Sequence, residues 1–341
     1  MSDTPPAAAS KTEPSRDFGV PDLPTNILQT YARLWQLETW LRRMVYVELR
    51  ALNGDEWESV IPDAIRSKEA DKYLTYMPTP EDSSLSYIQF SQLCDIITGQ
   101  RRLFDPFLPR HDIWEIKLKE ITQIRHRVAH FRVGHHDDLA RVMQLLRDLD
   151  QGFWRFCTSY NDFQAIIPAS DDPVASKFLH LDQFPWTDVG DGQWARIGVA
   201  DPAARLGMTI QVLRRPWATS AKPIGGHEGF LFDVSICVRR QTGALDYHRL
   251  MQTTSDVHKH VVHVGLDNMA QSIRVTVPAV LGADRVISII NKFYEESLSA
   301  LRDLGPIVVQ EFANECPEYV LGPENPLMYL SPDMPCSFFG V

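Results

Sequence analysis

Apolar residues recur at three- and four-residue steps through the first half of the chain. Leu28, Tyr31, Leu34, Trp35, Leu41, Val45, Leu49 and Leu52 line one face of a predicted helix running from Pro24-Thr25 to Asn53-Gly54. Glu38 falls on that face and Glu48 at its margin, and an acid on an apolar stripe needs a partner because an unpaired buried charge is costly. Similar spacing predicts helices over 84–99, ending at Gly99, and over 111–131, through Ile113, Ile116, Ile121 and Ile124. A further helix starts at Asp137 or Asp138, either a suitable N-cap, and passes Leu145, Leu149 and Phe153 to about Cys157. Between the second and third, Phe104 to Pro109 reads as an ordered aromatic loop.

The period then changes to two. Phe230, Phe232, Val234, Ile236 and Val238 alternate with Asp233 and Ser235, and Ile273, Val275 and Val277 alternate with Arg274 and Thr276. Met208, Ile210 and Val212 repeat the pattern, as do Ala195, Ile197 and Val199, so half-buried antiparallel strands are expected. A helix over about Ala283 to Leu304 should cover one sheet face. The expected fold class is α+β and multidomain: an all-α bundle, then a mainly antiparallel β domain with one or two covering helices. The expected division is a disordered leader over 1–22, a helical domain over 23–162, a linker over 163–176, a strand-rich domain over 177–316 and a proline-rich tail over 317–341.

Composition adds limits. With 44% apolar and 23% charged residues the chain reads as an ordinary soluble globular protein. No apolar run reaches the length of a membrane helix, the polar N-terminal stretch has no signal-peptide core, and a cytoplasmic location without membrane contact is expected. The five cysteines (Cys94, Cys157, Cys237, Cys316, Cys336) form no CxxC pair, so buried reduced thiols are expected rather than disulfides or a zinc ribbon. A net charge of −10 argues against a general nucleic-acid coat protein. Locally the balance reverses: residues 101–150 hold ten Lys or Arg against eight Asp or Glu, with five histidines besides.

That region contains Arg125-His126-Arg127-Val128-Ala129-His130, late in a helix and just before Gly134. His126 and His130 share a helix face, and Arg125 lies about 140° round from His130 but has a long side chain. Such groups suit RNA cleavage without metal. A histidine near neutrality can take the 2′-hydroxyl proton or protonate the leaving oxygen, and an arginine fork can hold the phosphate. The plainer reading is a helix ending in basic residues that complement its dipole.

Other clusters are weaker. An HxxxH pair with His135, His136, Asp137 and Asp138 nearby could suggest zinc, but Arg127 stands where the zincin pattern needs an acid, so neither metal nor cofactor is expected. His258-Lys259-His260 with His263 reads as a polar strand end, and Gly225-Gly226-His227-Glu228-Gly229 as a flexible hairpin connection without a phosphate-loop lysine.

From about Leu28 to Cys157 the chain resembles the HEPN superfamily, whose hallmark is an Arg, a polar residue, three more residues and a His. Arg125, His126 and His130 match it, framed by Leu34-Trp35-Gln36-Leu37-Glu38, Leu41-Arg42, Tyr87 to Leu93, Ile96-Ile97, Phe104, Phe107, Ile121 to Ile124 and Ala129 to Arg132. The resemblance implies a homodimer whose two motifs face each other, and a metal-independent endoribonuclease acting as a toxin or antiphage abortive-infection effector. Arg125 and His130 would be the catalytic pair, His126 the polar motif residue and Glu38 the acid orienting Arg125, with Glu48 nearly as well placed. Arg127 and Arg132 would contact RNA, a small structured RNA or single-stranded loop; an antitoxin or phage-derived trigger is a candidate further partner. Superfamily toxins paired with a nucleotidyltransferase carry a tyrosine where this chain has Arg132, so that pairing is not expected. The alternative is a non-catalytic HEPN-like dimer that binds RNA or a nucleotide, with the sensing or interaction role in the C-terminal half.

Overall fold

The computed structural model describes residues 25–74, 76, 83–130, 132–159, 165–166, 168, 171–182, 185–191, 193–198, 204–221, 224–239, 243–267, 269–303 and 336–341. The expected leader, Phe131, Val199, Leu304, Cys316 and residues 317–335 of the expected tail lie outside them.

Helix α1, Thr25–Asn53, buries Leu34, Leu37, Leu41, Met44, Val45 and Leu49. It stops at Gly54, whose φ of +55° suits glycine, and where a Cβ would meet Val280 and Leu281 side chains at 2.9 Å. Helix α2 is Pro62–Asp71, and its single buried residue, Ala64, gave no periodic signal. A 3-10 turn over Ser84–Tyr87 precedes α3, Phe90–Gly99, and α4 is the single turn Arg101–Phe104. Helix α5, His111–Ala129, faces the core through Trp114, Leu118, Ile121 and Ile124. Helix α6, Asp138–Thr158, does so through Val142, Leu145, Leu149, Phe153 and Phe156. Between α4 and α5 the aromatic loop lies against α6: Phe107 packs edge-on to Phe156 at 5.6 Å, directly over Gly152.

The strand-rich half begins with β1, Ala165–Ile166, inside the segment expected as a linker, followed by α7, Pro173–Phe178. Strands β2, Trp186–Gly190, and β3, Gln193–Arg196, form a separate hairpin. The main sheet contains β4, Leu206–Arg214, and β5, Phe230–Val238, paired along their full length. After β6, Gly243–Leu245, come α8, Tyr247–Thr253, β7, His263–Leu266, and β8, Ser272–Pro278. Helix α9, Ala283–Ala300, leads into β9, Leu301–Asp303, which pairs with β6. The five-stranded sheet has the order β1-β4-β5-β8-β7, and every pairing in it is antiparallel.

Because side chains alternate along a strand, the sheet has two characters. Ile210, Val234 and Val275 stand in one cross-strand row and face a core shared with Val286, Ile289, Ile290 and Phe293 of α9. The opposite face carries a polar row, Gln211, Asp233, Thr276 and His263, and an apolar end formed by Leu213 and Leu231. Leu213 and Leu231 are buried in the same cluster as the helices of the first half, with Val262. Asp233 accepts hydrogen bonds from Gln211 at 3.2 Å and Arg274 Nε at 2.7 Å, which satisfies the buried carboxylate at the centre of this row.

A fully buried ion pair ties the two halves together. Glu48 of α1 takes Arg215 Nε on both carboxylate oxygens at 3.1 Å and Trp217 Nε1 at 2.6 Å. Arg215 Nη1 also donates to Ser159 Oγ at 2.7 Å. The Gly229 N–H donates to Ala51 O at 2.8 Å, and Gly226 to Ala279 O at 2.7 Å, so the expected flexible glycine connection is pinned at both ends. Residues 336–341 lie on the helices: Phe338 packs on Trp40 at 4.7 Å, and Arg33 donates to Phe339 O at 2.7 Å. Cys94 and Cys157 are buried and free, Cys237 is partly buried and Cys336 is exposed. Among the described residues, no helix is long and apolar enough to cross a membrane.

Candidate active site

Helix α5 holds Trp114 to Ile124 against the bundle, and in its last turn Val128 still packs on that core while Arg125 is half-buried and His126 and His130 are exposed. His130 is the C-cap; its N–H donates to His126 O at 3.2 Å. The last-turn cations complement the carbonyl end of the helix.

Arg125 Nε lies 3.8 Å from Glu38 Oε2. The other Glu38 oxygen accepts from Arg42, which also donates to Ile88 O at 2.9 Å. Glu38 thus lies between two guanidiniums, hydrogen-bonded to Arg42 and ion-paired with Arg125. Glu48 serves Arg215 instead, so the acid beside Arg125 is Glu38. The imidazoles of His126 and His130 stand 4.3 Å apart, centroid to centroid, tilted by 59°. Partial desolvation, then the charges of His130, Arg132 and Arg125, hold His126 below the ordinary histidine value. At neutral pH that favours an uncharged ring able to accept a proton. Arg125 and His130 are not hydrogen-bonded to each other within one chain, as expected for residues on different helix sides.

The two arginines expected to touch RNA differ. Arg127 is committed to Asp138 of α6, with Nε 3.2 Å from Oδ2 and a second, shorter contact through Nη2. Burial alone would raise the Asp138 carboxyl, but Arg127 and the His135 N–H hold it below its usual range. This clip fixes the α5–α6 connection, and Arg127 is not free for a ligand. Arg132 is exposed.

His135, His136 and Asp137 bring one ligand atom each within 4.8 Å of one another. They are surface groups of a single loop, Asp137 is shared with Arg141 at 3.8 Å, and His126 and His130 do not belong to the set. His258 to His260 form a 3-10 turn after α8 rather than a strand end. There His258 stacks on Phe293 with rings 6.1 Å apart, and His260 Nδ1 meets Asp55 Oδ2 at 2.8 Å.

Arg125 opens into a groove of about 1820 Å³ that runs along α1 between the helices and the sheet half. Trp35, Glu38 and Arg42 line the end near Arg125, Arg43 follows along α1, and Asp55, Lys259, His260 and Arg285 line the other end. The groove was invisible to sequence reasoning because its walls come from segments over 200 residues apart. Its one legible signal was Glu38 on the apolar stripe. Comparisons with protein-family models, curated proteins and solved structures gave no match.

Proposed function

We propose that this chain is a metal-independent endoribonuclease of HEPN type that cuts RNA by 2′-hydroxyl attack, working as a homodimer. The observation that carries this reading is Arg125, ion-paired with Glu38 at a groove mouth, with a pair of close exposed imidazoles, His126 and His130, on another side of the same helix end. Arg125 binds the scissile phosphate and stabilises its developing charge. One imidazole, His130 in this reading, acts as general base or acid with His126 beside it. The 2′-oxygen loses its proton to the base and bonds to phosphorus. The bond to the 5′-oxygen breaks, and that oxygen gains a proton from the acid. The products are a 2′,3′-cyclic phosphate and a 5′-hydroxyl. A toxin or antiphage role, in the cytoplasm, follows from the family resemblance.

The helical placement of Arg125 and His130 on different sides gives the dimer its part. A second copy across a two-fold axis supplies the imidazoles that one chain does not bring to its own Arg125. The same separation favours one rival, a module that binds RNA without cutting it. Purified protein incubated with RNA, followed by sequencing of the ends, separates them. Wild type should yield cyclic-phosphate ends, and His130→Ala should lose at least about a hundredfold in rate. Undiminished cleavage by His130→Ala would sink the mechanism.

A further inference from the structure

The groove along α1 has a second end that the proposed chemistry leaves unused. There, Asp55 holds His260 at 2.8 Å and Arg285 at 3.1 Å, and faces Arg50 at 3.6 Å. Asp55 is spent on these cations just as Glu38 is spent on Arg42 and Arg125. Across the whole groove, seven Lys or Arg line the walls against four Asp or Glu, in a chain whose net charge is −10. Two of the cations have no anionic partner among the described residues. Arg43, midway, is exposed and stacks over Trp40 at 4.9 Å. Lys259, at the far end, is exposed.

Aromatic faces accompany the cations. Near Arg125, Tyr31 is 59% and Trp35 63% exposed on α1, values unusual for rings of that size in a globular surface. Cations along the groove, with exposed aromatic faces at its Arg125 end, suit a single strand of nucleic acid. The cations follow its backbone while bases stack on the rings, without sequence readout. An acidic peptide would use the cations alone.

We infer that this groove is a track for single-stranded RNA, leading from the phosphate at Arg125 past Arg43 to a second phosphate-binding subsite at Lys259 and Arg285. The inference rests on the nuclease reading for the identity of the first phosphate. The two ends are set by Glu38 and Arg50, twelve residues apart on α1, hence about 18 Å. That length takes about five nucleotides at a stacked rise of 3.4 Å. The substrate is therefore an unpaired segment of several nucleotides. The sheet half, through Lys259 and Arg285, contributes directly to holding it.

The test uses the full chain carrying His130→Ala, so that RNA is bound and not consumed. Fluorescent oligouridylates of three and eight nucleotides are titrated by anisotropy, with and without Arg43→Gln and Lys259→Gln. Both added changes are at exposed, unbridged side chains, and an unchanged melting temperature checks the fold. The octamer should bind the parent roughly tenfold more tightly than the trimer. The added changes should remove about that factor for the octamer only. The slope of log affinity against log salt should fall by about 1.4, near 0.7 for each cation lost. Equal affinity for both lengths, or an octamer indifferent to the two changes, overturns the track. So does competition by a charge-matched polyglutamate as effective as that of RNA. If the wild type binds the octamer in this manner and leaves it uncut, the track stands and the nuclease reading falls. If it cuts trimer and octamer equally well, the nuclease stands and the track falls.

Discussion

His263 sits in the polar row of the sheet, fully enclosed where β7 meets the helical half. Burial, then the charges of Arg215, Arg274, Arg43 and Arg50, push its imidazole down from 6.5 to about 3. In the folded chain it therefore stays neutral while the unfolded chain takes up a proton below about pH 6.5. Stability is full above that pH and falls as pH drops toward 3, by about 1.4 kcal/mol for each unit. Between pH 7.5 and 5.5 urea denaturation should show a loss of about 1.4 kcal/mol from this residue. His263→Leu should remove that part of the slope, while His258, half-buried and shifted the same way, still contributes. Equal slopes in both proteins would show that His263 is not the cause. Single residues were the hardest level to read from sequence. That Glu48 needs a partner follows from its margin position, but Arg215 lies 167 residues away and carries no local mark.

Long elements declared themselves and short ones did not. Helices α1, α5 and α6 and strands β4, β5 and β8 each span enough residues for a period of 3.6 or 2 to repeat. Helices α2, α7 and α8 bury one to three residues apiece, too few to show a period. The His258–His260 turn misled because alternation over three residues fits a strand as well as a 3-10 turn. The Arg125–His130 run was legible because its helix is long and its Gly134 break is near; the groove beside it was not. Helix α6 carries one glycine that composition alone would count as a defect. A Cβ on Gly152 would lie 1.9 Å from Phe107 O. Gly152→Ala gains at most about 1 kcal/mol of helix propensity. Displacing the aromatic loop should cost more, leaving the variant less stable by roughly 1–3 kcal/mol in thermal unfolding. A variant as stable as wild type would mean the loop moves freely.

At the scale of the whole molecule, the proposed active centre needs two copies. If Arg125 of one protomer works with His130 of the other, Arg125→Ala and His130→Ala proteins are each inactive yet complement when mixed. Half of the exchanged dimers are mixed and each has one intact centre, so about a quarter of wild-type activity should return. No recovery after verified exchange would place both groups of a working centre on one chain.

The Glu48–Arg215 pair, last, bears on how interchangeable the halves are. A fragment ending near residue 162 would keep Glu48 and lose Arg215, Trp217, Leu213, Leu231 and Val262 together. Stranding that charge inside the intact chain, as Arg215→Ala would, costs about 3–5 kcal/mol; in the fragment the carboxylate reaches water, but the apolar surface under Leu213, Leu231 and Val262 is exposed with it. Such a fragment should precipitate or melt far below the full chain in a thermal scan. The helical and strand-rich halves are then not modules that can be recombined between proteins: a transplanted helical half would arrive with an apolar face and a carboxylate that only its own sheet half covers and neutralises.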